Sequence, residues 1–372
     1  METKINPIAE IEKADVREVN VAPKYDCIKL GIDWHAAHYR VVRMIDNAGP
    51  EPAQRFTPAQ FLIWAKKQRQ LAKEVHSCYE AGCGGFVLHR QLVPFGITSH
   101  VVAPCKLDKD NRGVQTDATD ARELADNLDR YVRGNLKAMR PVFIPTVEQE
   151  QRRHQSRQRQ ALQKHRLSLA AQGRAVMLLE GRRESNNWWK AQRWEQLKKE
   201  LPGWLIEMLE VYRKLILAID EQVTLLLRAI EKAAPAYRPK GLGALSFESI
   251  LREVGDFKRF KNRKAPGSYT GLTGGVSATG DSHHDLSITK AGNRRLRTML
   301  IEAAWRFVFH QPDCKLVQRW RSVLLNPKAH RRSRKRAIVA VARQLFVDLW
   351  RWQTGRTTPE KLGWIMVGTP AT

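Results

Sequence analysis

Asp26-Cys27-Ile28-Lys29-Leu30-Gly31-Ile32-Asp33 turns apolar at its centre and ends on an acid. That is the pattern of a buried strand delivering a carboxylate to the edge of a sheet. Residues 38–45 continue with strand-like alternation, and Asp46-Asn47-Ala48-Gly49-Pro50 is a turn cluster. Residues 57–72 have helical spacing, and a short strand over 74–79 runs into Glu80. The turn Gly82-Cys83-Gly84-Gly85, a helix through Leu92 and a strand over 97–103 follow. Residues 116–131 read as a helix capped by Thr116, with Asp117 and Asp120 in its first turn. Strands first, then alternating helix and strand, imply a mixed α/β domain over residues 25–145. A loose tail over 1–24 precedes it, and Pro141 and Pro145 close it.

Residues 146–234 read as helical throughout. The stretch 151–166 holds Arg, Gln and Lys without a single acid. Over 205–232, Leu209, Ile216, Val223 and Ile230 fall seven apart, as do Leu205, Tyr212, Ile219 and Leu226. This four-three alternation is that of a coiled coil or of an amphipathic helix in a bundle. Residues 235–372 form a third region, mainly helical, beginning at Pro235. Gly241-Leu242-Gly243, a helical stretch to Val254 and the turn at Gly255-Asp256 have the look of a helix-hairpin-helix, whose turn amides meet a phosphate. A Gly/Ser/Thr-rich loop over 271–290 leads into a basic helix from Asn293, and residues 319–343 are strongly basic. Trp320, Trp350 and Trp352 near them are expected in the core more than as base-stacking platforms. The fold class expected is α/β plus all-α.

Charge narrows the partners. The chain has 372 residues, 64 Lys and Arg against 38 Asp and Glu, and a net charge of +26. Such an excess repels itself unless a polyanion neutralises it, so nucleic acid leads the candidates. A hydrophobic fraction of 42% excludes a wholly disordered basic protein. No apolar run approaches the roughly 20 residues of a membrane helix, and no secretory signal opens the chain. The five cysteines make no CxxC pair. A cytoplasmic protein with reduced thiols and no membrane partner is expected.

Asp33 and Glu80 at strand ends, with Asp117 and Asp120 on one face of a helix start, form the first chemical constellation. Singly, each is more often a turn or cap residue. Together, four acids repel unless divalent cations join them; oxygen ligands select Mg²⁺ or Mn²⁺, which can align a phosphoryl transfer.

These residues carry a resemblance. Ile32-Asp33, Tyr79-Glu80 and Thr116-Asp117-Ala118-Thr119-Asp120-Ala121 resemble the D-E-D-D signature of the bridge-RNA-guided insertion-sequence transposases, whose first domain has the RuvC-like form of the RNase H fold. Gly271-Leu272-Thr273, fourteen residues, then Ile288-Thr289-Lys290-Ala291-Gly292-Asn293-Arg294-Arg295-Leu296-Arg297 is similar to that family's second domain. The resemblance spans about residues 26–355 and both motifs occur in the expected order.

What the resemblance implies is a DNA recombinase with a nucleophilic serine in the Gly-rich loop. The family's usual Ser-Gly-Asp/Glu-Ser/Thr is here Ala278-Thr279-Gly280-Asp281-Ser282, with threonine at the serine position and Ser277 beside it. Threonine has the same oxygen, but its methyl restricts χ1 and crowds in-line attack. Thr279 is the positional equivalent; Ser277 acting through a loop shift, an impaired site and a loop that only contacts phosphate are the alternatives. The resemblance further implies a guide noncoding RNA pairing with target and donor DNA, and a homo-oligomer, dimer or tetramer, in which the carboxylates of one protomer meet the hydroxyl of another. Candidate contacts to nucleic acid are Arg152, Arg153, Arg157 and Arg159; Lys290, Arg294, Arg295 and Arg297; and Arg331, Arg332, Arg334, Lys335 and Arg336. The rival readings are a RuvC-like nuclease using water and a noncatalytic RNA- and DNA-binding protein descended from a transposase.

Overall fold

The computed structural model describes residues 22–82, 84–103, 116–279 and 282–369. The chain divides into two compact units at Ile144/Pro145. Most of the expected N-terminal tail, together with Cys83, Gly280 and Asp281, lies outside the described residues.

The first unit runs β1 (Tyr25–Trp34), β2 (Tyr39–Ile45), β3 (Gln54–Phe56), α1 (Pro58–Leu71), β4 (Ala72–Glu80), α2 (Val87–Leu92), β5 (Thr98–Val102) and α3 (Asp117–Val132). Its sheet has the order β3-β2-β1-β4-β5. The β1–β2 and β2–β3 pairs are antiparallel, whereas β4 pairs parallel with β1 and with β5. The mixed α/β expectation holds. One face of β1 presents Ile28, Leu30 and Ile32, all fully buried, to a core with Phe61, Tyr79, Leu88 and Leu92. The other face presents Cys27, Lys29, Gly31 and Asp33. There α3 lies so close that a Cβ on Gly31 would stand 2.2 Å from the Ala121 carbonyl oxygen and 2.4 Å from the Ala125 nitrogen. One turn further, the Lys29 ammonium meets Asp129 of α3 at 2.9 Å. Strand and helix are therefore read off against each other, and the helix start falls opposite Asp33. Thr116 caps α3 as expected, its side chain accepting from the Thr119 amide at 3.3 Å.

The second unit is mainly helical: α4 (Val147–Leu179), α5 (Ala191–Glu200), α6 (Gly203–Lys232), α7 (Ala244–Val254), α8 (Lys264–Thr270), α9 (Arg294–His310), the short α10 (Lys315–Gln318) and α11 (Arg321–Leu324), α12 (Arg331–Gln353) and α13 (Pro359–Leu362). The strand β6 (Arg238–Pro239) pairs antiparallel with β9 (Met366–Val367), tying the segment after α13 to the segment after α6. The residues expected as a loop over 271–290 instead form a hairpin of β7 (Gly274–Thr279) and β8 (Ser282–Ile288), with a bulge between Gly274 and Val276. Glycine and serine content suggested a loop, but the two segments pair antiparallel from Gly274↔Ile288 to Thr279↔Ser282. The heptad row also resolves differently from a free seam. Leu205, Leu209 and Ile216 are buried within this unit, in a cluster with Ala170 and Met177 of α4 and the tryptophans Trp188, Trp189 and Trp194. The basic helix α4 is the partner that the periodicity alone did not name. Among the described residues no helix is long and apolar enough to cross a membrane.

Candidate active site

In the first unit Ile32 pairs with Tyr79, so the next residues, Asp33 and Glu80, stand side by side at the carboxyl edge of adjacent parallel strands. Burial, then the charges of Asp117 and Asp120, push the Asp33 carboxyl above its ordinary range, while His35 and His38 work the other way. Those opposing signs place Asp33 and both helix-start aspartates within one electrostatic neighbourhood. The nearest base to Asp117 is His38, whose Nε2 is 3.8 Å from its Oδ2; His38 Nδ1 lies 3.4 Å from an Arg55 nitrogen. Among the described residues no three of the four acids bring their oxygens within 4.8 Å of one another. Their all-oxygen, mutually repelling set fits hard divalent cations.

Two residues of this site escaped sequence reading. Gly31 has no chemistry of its own, yet only its bare backbone lets α3 deliver Asp117 and Asp120. His38 was legible in principle, since Asp33-Trp34-His35-Ala36-Ala37-His38 places two imidazoles just after the first acid. Trp34 is fixed by the glycine turn: a Cβ on Gly84 would sit 1.2 Å from its indole.

In the second unit the two halves of the C-terminal motif meet at the base of the hairpin. Gly271 has φ +65°, and a Cβ there would stand 2.7 Å from the Ala291 carbonyl oxygen. Gly292 has φ +143°, and its Cβ would stand 2.5 Å from the Tyr269 carbonyl oxygen. Glycine is thus required on both sides of one contact. Between them Lys290, itself left-handed at φ 56°, donates its amide to the Gly271 carbonyl at 3.1 Å. Asn293 caps α9, accepting from the Leu296 amide at 3.0 Å, and donates through Nδ2 to Glu253 at 2.9 Å. Above this base Ser277 is exposed and pairs with His284, and the Thr279 backbone pairs with Ser282 at the tip.

The basic candidates separate into two kinds. Arg157 makes two 2.9 Å bonds to the buried Glu253, and Arg152 bonds the fully buried Glu248 at 2.6 Å. Burial works to raise the Glu253 carboxyl, but bonds from Arg157 and Asn293 outweigh it and hold the group below its ordinary range. These arginines fasten α4 to α7, a structural duty that the acid-free stretch 151–166 concealed because the matching acids lie some hundred residues on. Arg153 and Arg159 are half-buried on the same helix, and burial lowers both guanidinium groups. Arg297 donates to the carbonyls of Thr270 and Lys290, while Arg295 is half-buried. Lys290, Arg294, Arg331, Arg332, Lys335 and Arg336 are exposed; Arg334 is half-buried. Both α9 and α12 start with arginines and have no acid in the first turn. Positive charge at a helix N-terminus is on the unfavourable end of the dipole, and a polyanion would relieve it. Trp350 is buried and Trp352 stacks on Phe247 at 6.0 Å, so both serve the core as expected.

Residues 238–318, which include the hairpin and its glycine base, match the family model described as Transposase IS116/IS110/IS902 family. A protein of Sinorhizobium fredii named as a transposase, y4rJ, is 33% identical over 305 residues, covering 73% of this chain and 75% of that one. The transposase for insertion sequence element IS1533 of Leptospira borgpetersenii is 25% identical over 320 residues, 79% of this chain and 89% of its own. That for IS1111A of Coxiella burnetii is 25% identical over 295 residues, 74% and 77% of the two chains. The chain is therefore a DNA transposase. It belongs to the IS116/IS110/IS902 family of insertion-sequence transposases.

Proposed function

We propose that the chain is an RNA-guided recombinase that breaks and rejoins DNA strands through a hydroxyl of its own. The observation that carries the catalytic half of this reading is the convergence of Asp33, Asp117 and Asp120 at the carboxyl edge of the first sheet, with Glu80 alongside. A central strand with an antiparallel hairpin on one side and two parallel strands on the other, acids at the strand ends and a helix start beside them, supports a RuvC-like reading of that unit. Asp33, Glu80, Asp117 and Asp120 would hold Mg²⁺ or Mn²⁺, which when bound supplies charge neutralisation at the scissile phosphate. Burial, then the neighbouring Asp117 and Asp120, raise the Asp33 carboxyl, and a cation bound beside it would favour its ionised form.

The second unit supplies the nucleophile. The oxygen of Thr279, or of Ser277 by a shift along β7, attacks phosphorus and expels the 3′-oxygen, leaving a phosphodiester between protein and DNA. Reversal by a new 3′-hydroxyl rejoins the strand. The interlocked glycines at the hairpin base hold the strand bearing both hydroxyls at a fixed distance from α9, whose Arg294 faces solvent. Partition of recognition between guide RNA and protein rests on the motif resemblance and on the net charge of +26. A second copy would dock on the outward row of α6, where Trp204, Met208, Val211, Leu215 and Leu225 are exposed at four-three spacing.

The test is a cleavage assay with trapping. Asp117→Asn should abolish Mg²⁺-dependent strand breakage and leave RNA binding within about twofold, because one exposed acid adds little to a long polyelectrolyte contact. A protein–DNA adduct lost in Thr279→Ala but kept in Ser277→Ala assigns the nucleophile to Thr279, and the converse assigns it to Ser277. Cleavage without any adduct would move the protein to the nuclease reading.

A further inference from the structure

The same sheet face that ends in the acids begins in a different set of donors. Six residues before Asp33 and Glu80, Cys27 and Glu74 are paired across β1 and β4, and His76 is the next residue on that face of β4. At the rise of a strand this is about 20 Å from the acid edge. Cys27 Sγ, a Glu74 carboxylate oxygen and a His76 ring nitrogen all lie within 4.8 Å of one another, the one such group of three among the described residues. His76 Nε2 is 3.3 Å from Glu74 Oε2, while its Nδ1 is buried without a hydrogen-bond partner. The ring lies parallel to His100 at 6.0 Å, which fixes its plane.

We propose that Cys27, Glu74 and His76 form a binding site for a borderline divalent cation of the zinc class, with solvent as the fourth ligand. A thiolate and an imidazole select such an ion over Mg²⁺, which the oxygen-only site at the other edge prefers. Tetrahedral ligation at about 2.0–2.3 Å requires donors closer than 4.8 Å. His76 Nε2 and Glu74 Oε2, 3.3 Å apart, are already at ligand spacing, and the Glu74 side chain, 70% exposed, is free to adjust to the third donor. The charge facing the cluster is already balanced, because Lys29 is held by Asp129 at 2.9 Å and by the Asp46 carbonyl at 2.5 Å. Burial raises the Cys27 thiol, so the free site is protonated. On binding, the S–H bond breaks, the proton leaves to solvent, and sulfur donates its pair to the metal. The ion would clamp β1 to β4, the strands that carry Asp33 and Glu80, at the end remote from the acids.

The experiment is a Co²⁺ titration of the full, chelator-stripped chain with Mg²⁺ present to occupy the carboxylates. One equivalent should bind with thiolate-to-cobalt charge-transfer absorption and intense tetrahedral d–d bands, both displaced by Zn²⁺. Cys27→Ser should abolish the charge-transfer band, and Cys78→Ser, buried two residues beyond His76, should leave it. Glu74 is exposed, so Glu74→Gln keeps the fold and should weaken binding at least tenfold. No thiolate band at any excess of Co²⁺, a band that survives Cys27→Ser, or unchanged affinity in Glu74→Gln would each overturn the site.

Discussion

Asp33 costs the fold something at neutral pH. Its carboxyl is raised above the ordinary value of 3.8 by burial and by Asp117 and Asp120. A raised acid favours the folded chain while it is protonated, and that contribution is lost as pH rises through the folded value. Asp33→Asn should therefore raise the unfolding midpoint at pH 7 in cation-free buffer while abolishing strand cleavage. Asp33 is partly exposed, so solvent screening limits the gain to a few tenths of a kcal/mol, or about 1–2 °C. Thermal unfolding as a function of pH checks it: wild type and variant should converge toward acid. A lower midpoint for the variant at pH 7 would mean that Asp33 is held by favourable partners and not by crowding. The neighbourhood of Asp33, Asp117 and Asp120, with Glu80 on the adjacent strand, was legible because carboxylates at strand ends and a helix start have few common duties in combination. Gly31 was not, since the need for a bare backbone is visible only once Ala121 and Ala125 are known to press on it.

The helix α6 shows what periodicity can and cannot say. Four-three spacing correctly marks a helix with a packed stripe, but it does not say whose surface packs there. Ile216 is fully buried inside the second unit and its neighbour Leu215 is 50% exposed. Adjacent residues on a helix point about 100° apart, so one helix can serve its own core and a second copy at once. Ile216→Ala should cost about 2–5 kcal/mol in chemical denaturation of the second unit. Leu215→Asp should leave helicity unchanged by circular dichroism and reduce the proposed oligomer to monomers by light scattering. If Leu215→Asp leaves the mass unchanged, the outward row of α6 is not the interface. The hairpin β7–β8 was illegible for a related reason. Its glycines are demanded by contacts between residues 271 and 292, which a local reading scores as loop composition.

Across the whole chain, the charge of +26 divides by what each cation already touches. Clustering in sequence made the stretch 151–166 one of three candidate polyanion contacts, yet Arg152 and Arg157 are spent on Glu248 and Glu253. By contrast, the start of α12 stacks Arg331, Arg332, Lys335 and Arg336 in the open, at the end of a helix that disfavours them. The two sets should respond differently to the same measurement, the dependence of nucleic-acid affinity on salt. Replacing Arg331, Arg332, Lys335 and Arg336 together by Gln should reduce the slope of log K against log salt by about 3 and leave the fold intact. Arg152→Gln should leave the slope within experimental scatter. It should instead cost about 1–2 kcal/mol of stability, because Glu248, fully buried, would keep Arg252 as its ion-pair partner but lose half its compensation. A slope that falls with Arg152→Gln would return α4 to the nucleic-acid surface. A slope unmoved by the fourfold change would leave the positively charged start of α12 without the polyanion its charge calls for.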